Sequence, residues 1–469
     1  MIMMETIMHY NGVVNNFVWG PLMLTLLVGT GIYLTILLGA PQLRYFGMVW
    51  REVLSMRKNA TAEGDKSITS FAAMATAMAS TVGTGNIAGV ATALHLGGPG
   101  ALVWMLFSAF FGMCTKFGEV ALAVHFRKKD EHGDWRGGTM YILEHGAGQK
   151  WLAVLFAFFA FLASFGIGAA VQANSTAEGL QLGFGIDPLY SGIGLAIFVG
   201  LVIIGGLKSL STVTTYLVPF MAVFYIVGSL IVLGTNIAAI PGAFASAFKY
   251  AVTDPMAMPG AIAGWTVKEA IKRGIARGVF SNEAGLGSAP MVHATANVDH
   301  PARQGLYGIF EVFVDTFLIC SMTALVIIGT GTLTGQPELT GAQLSLYAFE
   351  VGLGSAGKYI LSIGLALFAF TTILGWYWYA ETATTYLFGI WFKPFMKIIW
   401  IVLILIGAAG SQILGTGANA FLGSLWDMAD TLNGLMAIPN LVGLLLLSGV
   451  LRKIVLDFDA KRKSGELKV

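Results

Sequence analysis

The sequence predicts an all-α polytopic membrane protein with about eleven membrane-spanning helices: one additional N-terminal helix followed by two five-helix repeats of inverted orientation. Of its 469 residues, 56% are hydrophobic and only 11% are charged, whereas soluble domains carry about 25% charged residues. The apolar runs are continuous over ~20 residues, a length that crosses a bilayer as a helix. They do not show the alternation of apolar and polar residues that is typical of β-barrel strands. Two runs are interrupted by glycines at corresponding positions of the two halves, which indicates discontinuous helices related by an internal repeat.

Each predicted span is an apolar run long enough to form about 30 Å of helix at 1.5 Å per residue. A shorter stretch, 420–436, predicts either a further crossing or a buried half-helix. The eleven predicted spans lie at 15–39, 67–94, 99–124, 150–182, 189–206, 211–235, 261–292, 303–333, 357–388, 394–412 and 437–454.

The predicted domain organisation follows from grouping these spans. Without the first span, ten remain as five plus five, and because five is an odd number, the two groups are expected to have opposite orientations. The predicted divisions are an N-terminal helix with a cytoplasmic amphipathic linker (1–66), a first repeat (67–235), an extracellular loop (236–260), a second repeat (261–454) and a cytoplasmic tail (455–469).

Basic residues predict the orientation, because Lys and Arg concentrate in short cytoplasmic loops. Segments 42–66 and 125–136 and the C-terminal tail are rich in these residues and are separated by even numbers of spans. We therefore expect a plasma-membrane protein with its N-terminus outside and its C-terminus in the cytoplasm. One basic group falls on the predicted outer side, and we interpret it as an amphipathic or cavity-facing turn. It comprises Lys268, Lys272, Arg273 and Arg277.

Composition and motifs argue against several other classes of protein. A net charge of +2 does not favour nucleic acid as a partner. Cys114 and Cys320 fall inside apolar spans, so a structural disulfide is not expected. The first apolar run lacks the basic start and the cleavage site of a signal peptide. The sequence contains no dinucleotide fingerprint, phosphate-binding loop, HExxH motif or His/Cys ligand cluster, so we do not expect an enzyme.

The segment "MASTVGTGNIAGVAT" (78–92) places glycines and polar residues inside an apolar span. One interpretation is close packing, since small residues let membrane helices approach each other. The other is an unwound hinge, whose freed amides suit a carboxylate and whose freed carbonyls suit a cation. We favour the hinge because glycines and polar residues coincide there. They are Gly83, Gly85, Gly89, Ser80, Thr81, Thr84 and Asn86.

The segment "GVFSNEAGLGSAP" (278–290) is the corresponding break in the second half. Glu283 is an acid at membrane depth, where it is either a structural group or part of ion chemistry. Ser281 and Asn282 can donate and accept hydrogen bonds toward a ligand or ion. Phe280 is either core packing or a lid over a pocket. Two glycine-broken segments at matching positions indicate a transporter site between them.

A third polar cluster lies in "FAFTTILGWYWYAET" (368–382). The hydroxyls of Thr371 and Thr372 either bond to their own helix or supply oxygens to a partly dehydrated Na⁺. Trp376 lies one helical turn beyond Thr372 on the same face and would narrow a pocket to small substrates. We also place Gln172, in "GAAVQANST", near this pocket.

Three motifs resemble the alanine/glycine:cation symporter family, within the larger LeuT-type fold. They are "GGPGALVWMLFSAFFG" (97–112), "RGVFSNEAGLGSAP" (277–290) and "WDMADTLNGLMAIPN" (426–440). "VWML" (103–106) has Val and Leu where the family usually has aromatics. The resemblance covers nearly the whole chain and implies uptake of alanine, glycine or a similar small amino acid, coupled to Na⁺ or H⁺.

The resemblance also implies a substrate site. The amides around Thr84 and Gly85 are expected to bind the substrate carboxylate, and Asn86 is expected among the substrate-binding residues. Phe280 would close over the substrate and Trp376 would form a pocket wall. The ammonium group would meet freed carbonyls of the second broken helix, with Asn282 or Gln172 as further partners.

Two cation sites are implied in the same way. The main Na⁺ site is expected at the carbonyls of Ala79 and Val82 with the hydroxyls of Thr371 and Thr372. A second Na⁺ site would use Asn86, with Thr81 and Ser281.

We therefore expect a secondary transporter, embedded in membrane lipid, that moves a small neutral amino acid with Na⁺ by alternating access. Proton coupling through Glu283 or Glu119 is the alternative within transport. A channel or receptor-like sensor is the alternative from another class.

Overall fold

The computed structural model describes residues 2–55, 67–414 and 418–467. Residues 56–66, at the end of the predicted cytoplasmic linker, lie outside the described part of the chain. Within that part, eight helices are long and apolar enough to cross a membrane, and two shorter apolar helices lie at Pro188–Ile204 and Ile237–Val252. The prediction of an all-α polytopic membrane protein is confirmed.

The predicted additional N-terminal helix consists of two helices, α1 (Ile2–Val18) and α2 (Pro21–Leu38). Pro21 begins α2, where the missing N–H of proline costs nothing. Two short helices follow, α3 (Pro41–Arg44) and α4 (Phe46–Leu54). The amphipathic helix α4 is fixed to the second repeat because Arg303 donates to Glu52 at 2.6 Å.

The first repeat contains a broken helix and a helix with a π-helical insertion, at the two sequence segments richest in small residues. Its elements are β1 (Ile68–Thr69), α5 (Ser70–Thr81), a π-helical turn (Gly85–Gly89), α6 (Val90–Gly97), α7 (Ala101–His125), β2 (Lys128–Lys129), β3 (Trp135–Arg136), α8 (Thr139–Tyr141), a π-helical turn (Ile142–Gly146), α9 (Lys150–Ala163), a π-helical segment (Ser164–Ala170), α10 (Val171–Phe184), α11 (Pro188–Ile204) and α12 (Gly206–Thr235).

The second repeat begins with the other broken helix. The predicted loop 236–260 before it contains a helix of its own, α13 (Ile240–Val252). The elements that follow are α14 (Val267–Asn282), α15 (Pro290–His293), β4 (Ala296–Asn297), α16 (Pro301–Val312), a π-helical segment (Phe313–Cys320), α17 (Ser321–Gly329), α18 (Thr332–Gly335), α19 (Gly341–Leu353), α20 (Ser355–Phe388), α21 (Lys393–Leu414), α22 (Ala418–Leu446) and α23 (Ser448–Lys463).

The bounds predicted for the last span, 437–454, are wrong. Helix α22 includes the stretch 420–436 and ends at Leu446, and a new helix begins at Ser448. Helix α23 carries charged residues throughout, including Arg452, Lys453 and Asp457, so it cannot continue an apolar span. The stretch 420–436 is therefore the first half of the eleventh span and not a twelfth crossing.

The two broken helices are joined at one end of the molecule. Strand β1, which leads into α5, pairs in parallel with β4, which follows α15, in the register Ile68 to Ala296 and Thr69 to Asn297. At the opposite end α6 packs on α14, and the Trp265 indole donates to the carbonyl of His95 at 2.7 Å. The two breaks therefore face each other in the middle of the fold.

Candidate functional site

The first break diverts two backbone donors from the helix. In a regular helix the N–H groups of Gly83 and Thr84 would donate to the carbonyls four residues earlier, Ala79 and Ser80. Instead Gly83 donates to the Asn86 side-chain oxygen at 2.8 Å and Thr84 to that of Gln172 at 3.3 Å. The carbonyls of Ala79 and Ser80 are thereby released from their helical partners, as the hinge interpretation requires.

The three glycines of the break also make room for side chains from other helices. A Cβ on Gly83 would lie 2.5 Å from the Thr372 hydroxyl oxygen, and a Cβ on Gly85 would lie 2.8 Å from Nη2 of Arg277. A Cβ on Gly89 would collide with the same guanidinium group. Packing and unwinding therefore coincide here, and neither interpretation excludes the other.

The predicted main cation site is partly assembled. The Thr372 hydroxyl lies 3.3 Å from the carbonyl oxygen of Val82, to which it donates. The Thr371 hydroxyl instead donates to Phe368 in its own helix at 3.0 Å and lies 3.2 Å from the sulfur of Met221. Of the predicted ligands, the structure brings Val82 and Thr372 together, while Thr371 contacts Met221 of α12.

The residues predicted for a second cation site converge on an acid. Asp315 is fully buried. One of its oxygens accepts from the Asn86 amide at 2.5 Å and from the Ser281 hydroxyl at 3.2 Å. The Thr81 hydroxyl does not join them, because it bonds to Ala77 and Met78 within α5.

Asp315 lies inside the predicted span 303–333 and was not among the site residues predicted from the sequence. An acid at membrane depth was the available signal. Its contact with Asn86 joins residues 229 positions apart, which no local pattern encodes.

The second break is held by side chains of three other helices. Glu283, Gly285 and Gly287 have left-handed backbone angles, with φ of 56°, 94° and 82°. The Gly285 N–H donates to Glu119 at 3.0 Å, and the Ala284 N–H donates to the Asn282 side chain at 3.0 Å. In a regular helix the Gly285 N–H would donate to the carbonyl of Ser281, and the Ala284 N–H to that of Phe280. These two carbonyls therefore lack their helical donors.

Other backbone groups of this break are satisfied by protein. The carbonyl of Gly285 accepts from Asn440 at 3.0 Å, and that of Gly287 accepts from Thr139 at 2.9 Å. Glu283 accepts from the Ser288 hydroxyl at 2.5 Å. The loop 283–289 is therefore a rigid part of the core, which favours a structural role for Glu283.

A cavity of about 610 Å³, which we call the upper cavity, reaches the first break from the end of the molecule that carries α1 and the first turns of α14. Four residues predicted for the substrate site line it: Thr84, Gly85, Gln172 and Phe280. Its walls also include Arg277 of α14 and Asp430 of α22.

The other predicted substrate residues lie behind the cavity wall. Asn282 donates to Thr316 at 3.0 Å. Trp376 is buried against Gly168, where a Cβ would be 2.5 Å from the Cβ of Trp376. Neither residue lines the upper cavity. Asn86, also predicted for the substrate site, does not line it either and donates to Asp315.

A second cavity of about 1150 Å³, the lower cavity, lies at the end that carries β1 and the loop around Trp135 and Arg136. Thr69 and Ala72, near the start of α5, line it. Helix α5 is 12 residues long, or about 18 Å at 1.5 Å per residue. Because no predicted site residue lines the lower cavity, the described structure opens the first break to the upper side.

Two broken helices that face each other at the floor of a cavity, within two five-helix repeats, define a LeuT-type transporter. The fold is similar to that of a Na⁺-coupled sialic acid symporter, with a TM-score of 0.55 and 11% identity over 92% of this chain and 98% of that one. It is also similar to MhsT in complex with L-phenylalanine, with a TM-score of 0.55 and 14% identity over 82% of this chain and 97% of that one. These likenesses confirm the predicted fold class.

The chain belongs to the sodium:alanine symporter family, whose model matches residues 4–469. It is 47% identical to the sodium/alanine symporter AgcS of Methanococcus maripaludis, over 96% of this chain and 97% of that protein. It is 36% identical to the probable sodium/glutamine symporter GlnT of Bacillus subtilis, over 99% of this chain and 93% of that protein. Family membership confirms the expected class, a multi-pass Na⁺-coupled amino acid transporter and not an enzyme.

Proposed function

We propose that this protein carries a small neutral amino acid, alanine or glycine, into the cell together with Na⁺ by alternating access. In this proposal the upper cavity is the substrate path from outside, the N-terminus is outside and the C-terminus is in the cytoplasm. The observation that carries the proposal is the first break, where diverted amides and released carbonyls lie beside one cavity. The proposal is also supported by a relative that is named a sodium/alanine symporter.

The substrate carboxylate would bind at the amides of Thr84 and Gly85. The Thr84 N–H is held by an oxygen of Gln172, which a carboxylate oxygen can replace, because both are acceptors. The ammonium group would meet the released carbonyls of Phe280 and Ser281. Phe280 lines the cavity and is placed to cover a bound substrate.

The main Na⁺ would bind at the carbonyls of Ala79 and Val82 and the Thr372 hydroxyl. Thr371 would complete the site by turning its hydroxyl away from Phe368. A second Na⁺ would bind between Asn86 and Ser281, with Asp315 as its carboxylate and Thr81 nearby. Ion and substrate would share the first break, so each would raise the affinity for the other. One Na⁺ moving across −100 mV supplies about 2.3 kcal/mol, roughly a fiftyfold substrate gradient.

Uptake of radiolabelled alanine into proteoliposomes tests the proposal. With an inward Na⁺ gradient, alanine should accumulate above its external concentration, glycine should compete and leucine should not. Collapse of the Na⁺ gradient with an ionophore should abolish accumulation, and protein-free liposomes give the background. Uptake that equilibrates without accumulation would instead indicate a channel.

Proton coupling is a second candidate, and the buried acids favour it. Glu119, Glu283 and Glu311 all interact electrostatically with the buried ammonium group of Lys116, and His293 lies 3.1 Å from Glu311. Three carboxylates would outnumber these two groups, and uncompensated charges in an apolar interior are costly, so bound protons are one way to balance them. Uptake that persists without Na⁺ but is lost with a protonophore would support proton coupling and contradict sodium coupling.

A further inference from the structure

We propose that Arg277 is a substrate-binding residue of the upper cavity, whose guanidinium group binds the carboxylate of the amino acid next to Gly85. This inference rests on the proposed function. It concerns a residue that sequence patterns suggested only as part of a cavity-facing turn.

The first argument is that two nitrogens of the guanidinium group have no acceptor. The Nε and Nη2 atoms of Arg277 are buried and donate to no acceptor among the described residues. Arg273, one turn earlier in α14, is paired with Glu269 at 3.0 Å. Buried N–H groups without an acceptor are costly, so a carboxylate that accepts from Nε and Nη2 of Arg277 gains affinity by removing that cost.

The second argument is that packing holds the guanidinium group of Arg277 in a defined position at the first break. The guanidinium carbon lies 4.1 Å above the centre of the Phe280 ring, which fixes the plane of the group. Gly85 and Gly89 leave the space in which it lies, since a Cβ at either position would collide with it. The charged group is therefore held beside the backbone amides expected to bind a carboxylate.

The third argument is charge complementarity across the cavity. Asp430 also lines the upper cavity and accepts from the Asn15 side chain at 2.9 Å. It interacts electrostatically with Arg277. The cavity thus contains both signs of charge, as a zwitterion does, and a guanidinium group can bind a carboxylate through two parallel hydrogen bonds.

The experiment compares alanine with alaninamide, which keeps the ammonium group and lacks the carboxylate, as competitors of labelled alanine uptake. A hydrogen bond to a charged group contributes about 1.5–3 kcal/mol, or roughly 10- to 150-fold in affinity. Arg277→Met should raise the half-saturating concentration of alanine by about that factor and leave that of alaninamide nearly unchanged. Arg277→Lys, which keeps the charge, should recover part of the loss.

Arg273→Met is the matched control, since it removes the same charge from the same helix and should keep the wild-type preference for alanine over alaninamide. The inference is overturned if Arg277→Met keeps the wild-type half-saturating concentration of alanine and the wild-type preference for alanine over alaninamide. This holds even if the maximal rate falls, because the residue would then be a gate or a structural group. Should the variants not fold, equal competition by alanine and alaninamide in the wild type overturns it. Absence of Na⁺-dependent uptake in the wild type would instead contradict the proposed function.

Discussion

The substitution Gly83→Ala tests whether the first break and the Thr372 hydroxyl form one cation site. The added Cβ would lie 2.5 Å from the hydroxyl oxygen and 3.3 Å from the Cβ of Thr372, whereas ordinary contact begins at 3.4 Å. The hydroxyl must therefore move by 0.9 Å, the difference between 3.4 and 2.5 Å. Thr372 is fully buried, so the movement has to be a rotation of its side chain away from the carbonyl of Val82.

Two effects of Gly83→Ala should be separable. Overpacking of a buried site costs about 1–3 kcal/mol of unfolding free energy. Loss of one oxygen ligand to an ion, taken as a hydrogen bond to a charged group, costs about 1.5–3 kcal/mol, which raises the half-saturating Na⁺ concentration roughly 10- to 150-fold. The measurements are thermal unfolding of the purified protein and alanine uptake as a function of Na⁺.

A second variant separates packing from ion binding. Thr372→Ala combined with Gly83→Ala removes the atom that collides, so thermal stability should return toward the wild type while the Na⁺ requirement stays weakened. Gly194→Ala in α11 is the control, because a Cβ there meets nothing within 4 Å. The reasoning is refuted if Gly83→Ala keeps both the wild-type unfolding temperature and the wild-type half-saturation for Na⁺.

Three further predictions concern single side chains. Thr372→Ala should raise the half-saturating Na⁺ concentration roughly tenfold or more, and Thr371→Ala should raise it less because that hydroxyl bonds within its own helix; equal effects would show that both hydroxyls bind the ion. Asp315→Asn, which removes the carboxylate charge at nearly unchanged size, should lower the steepness of the Na⁺ dependence of uptake, and an unchanged Hill coefficient would contradict a second ion there. Gly287→Ala should lower the unfolding temperature strongly, since its φ is 82° and its Cβ would lie 2.6 Å from the Thr139 hydroxyl; Gly185→Ala, with φ of 70° and open space, should lower it less.

The sequence predicted the two breaks because glycines and polar residues inside apolar spans have few explanations in a membrane. Segments 78–92 and 278–290 are broken where predicted. The orientation of single hydroxyls was beyond such reasoning. Thr371 and Thr372 are neighbours in one helix, so they differ by about 100° around its axis, and only the packing of α20 against α5 and α12 decides which one meets Val82.

Helix ends were predictable only where composition changes sharply. The boundary between α22 and α23 was missed because residues 437–451 carry no charge, and the first charged residues, Arg452 and Lys453, lie beyond the end of α22 at Leu446. The predicted domain limits, the terminal orientation and the roles of the site residues stay predictions.

By itself, the sequence determined the class of protein and the positions of both breaks, because bilayer thickness and backbone hydrogen bonding constrain any chain of this composition. Only the tertiary structure decided what occupies the space beside each break. A glycine in the sequence shows only that there is no Cβ at that position. It does not record that Thr372 fills the gap at Gly83, that Arg277 fills the gaps at Gly85 and Gly89, or that Asn86 meets Asp315. Those contacts join residues that lie far apart in the chain, and they exist only once the helices have packed.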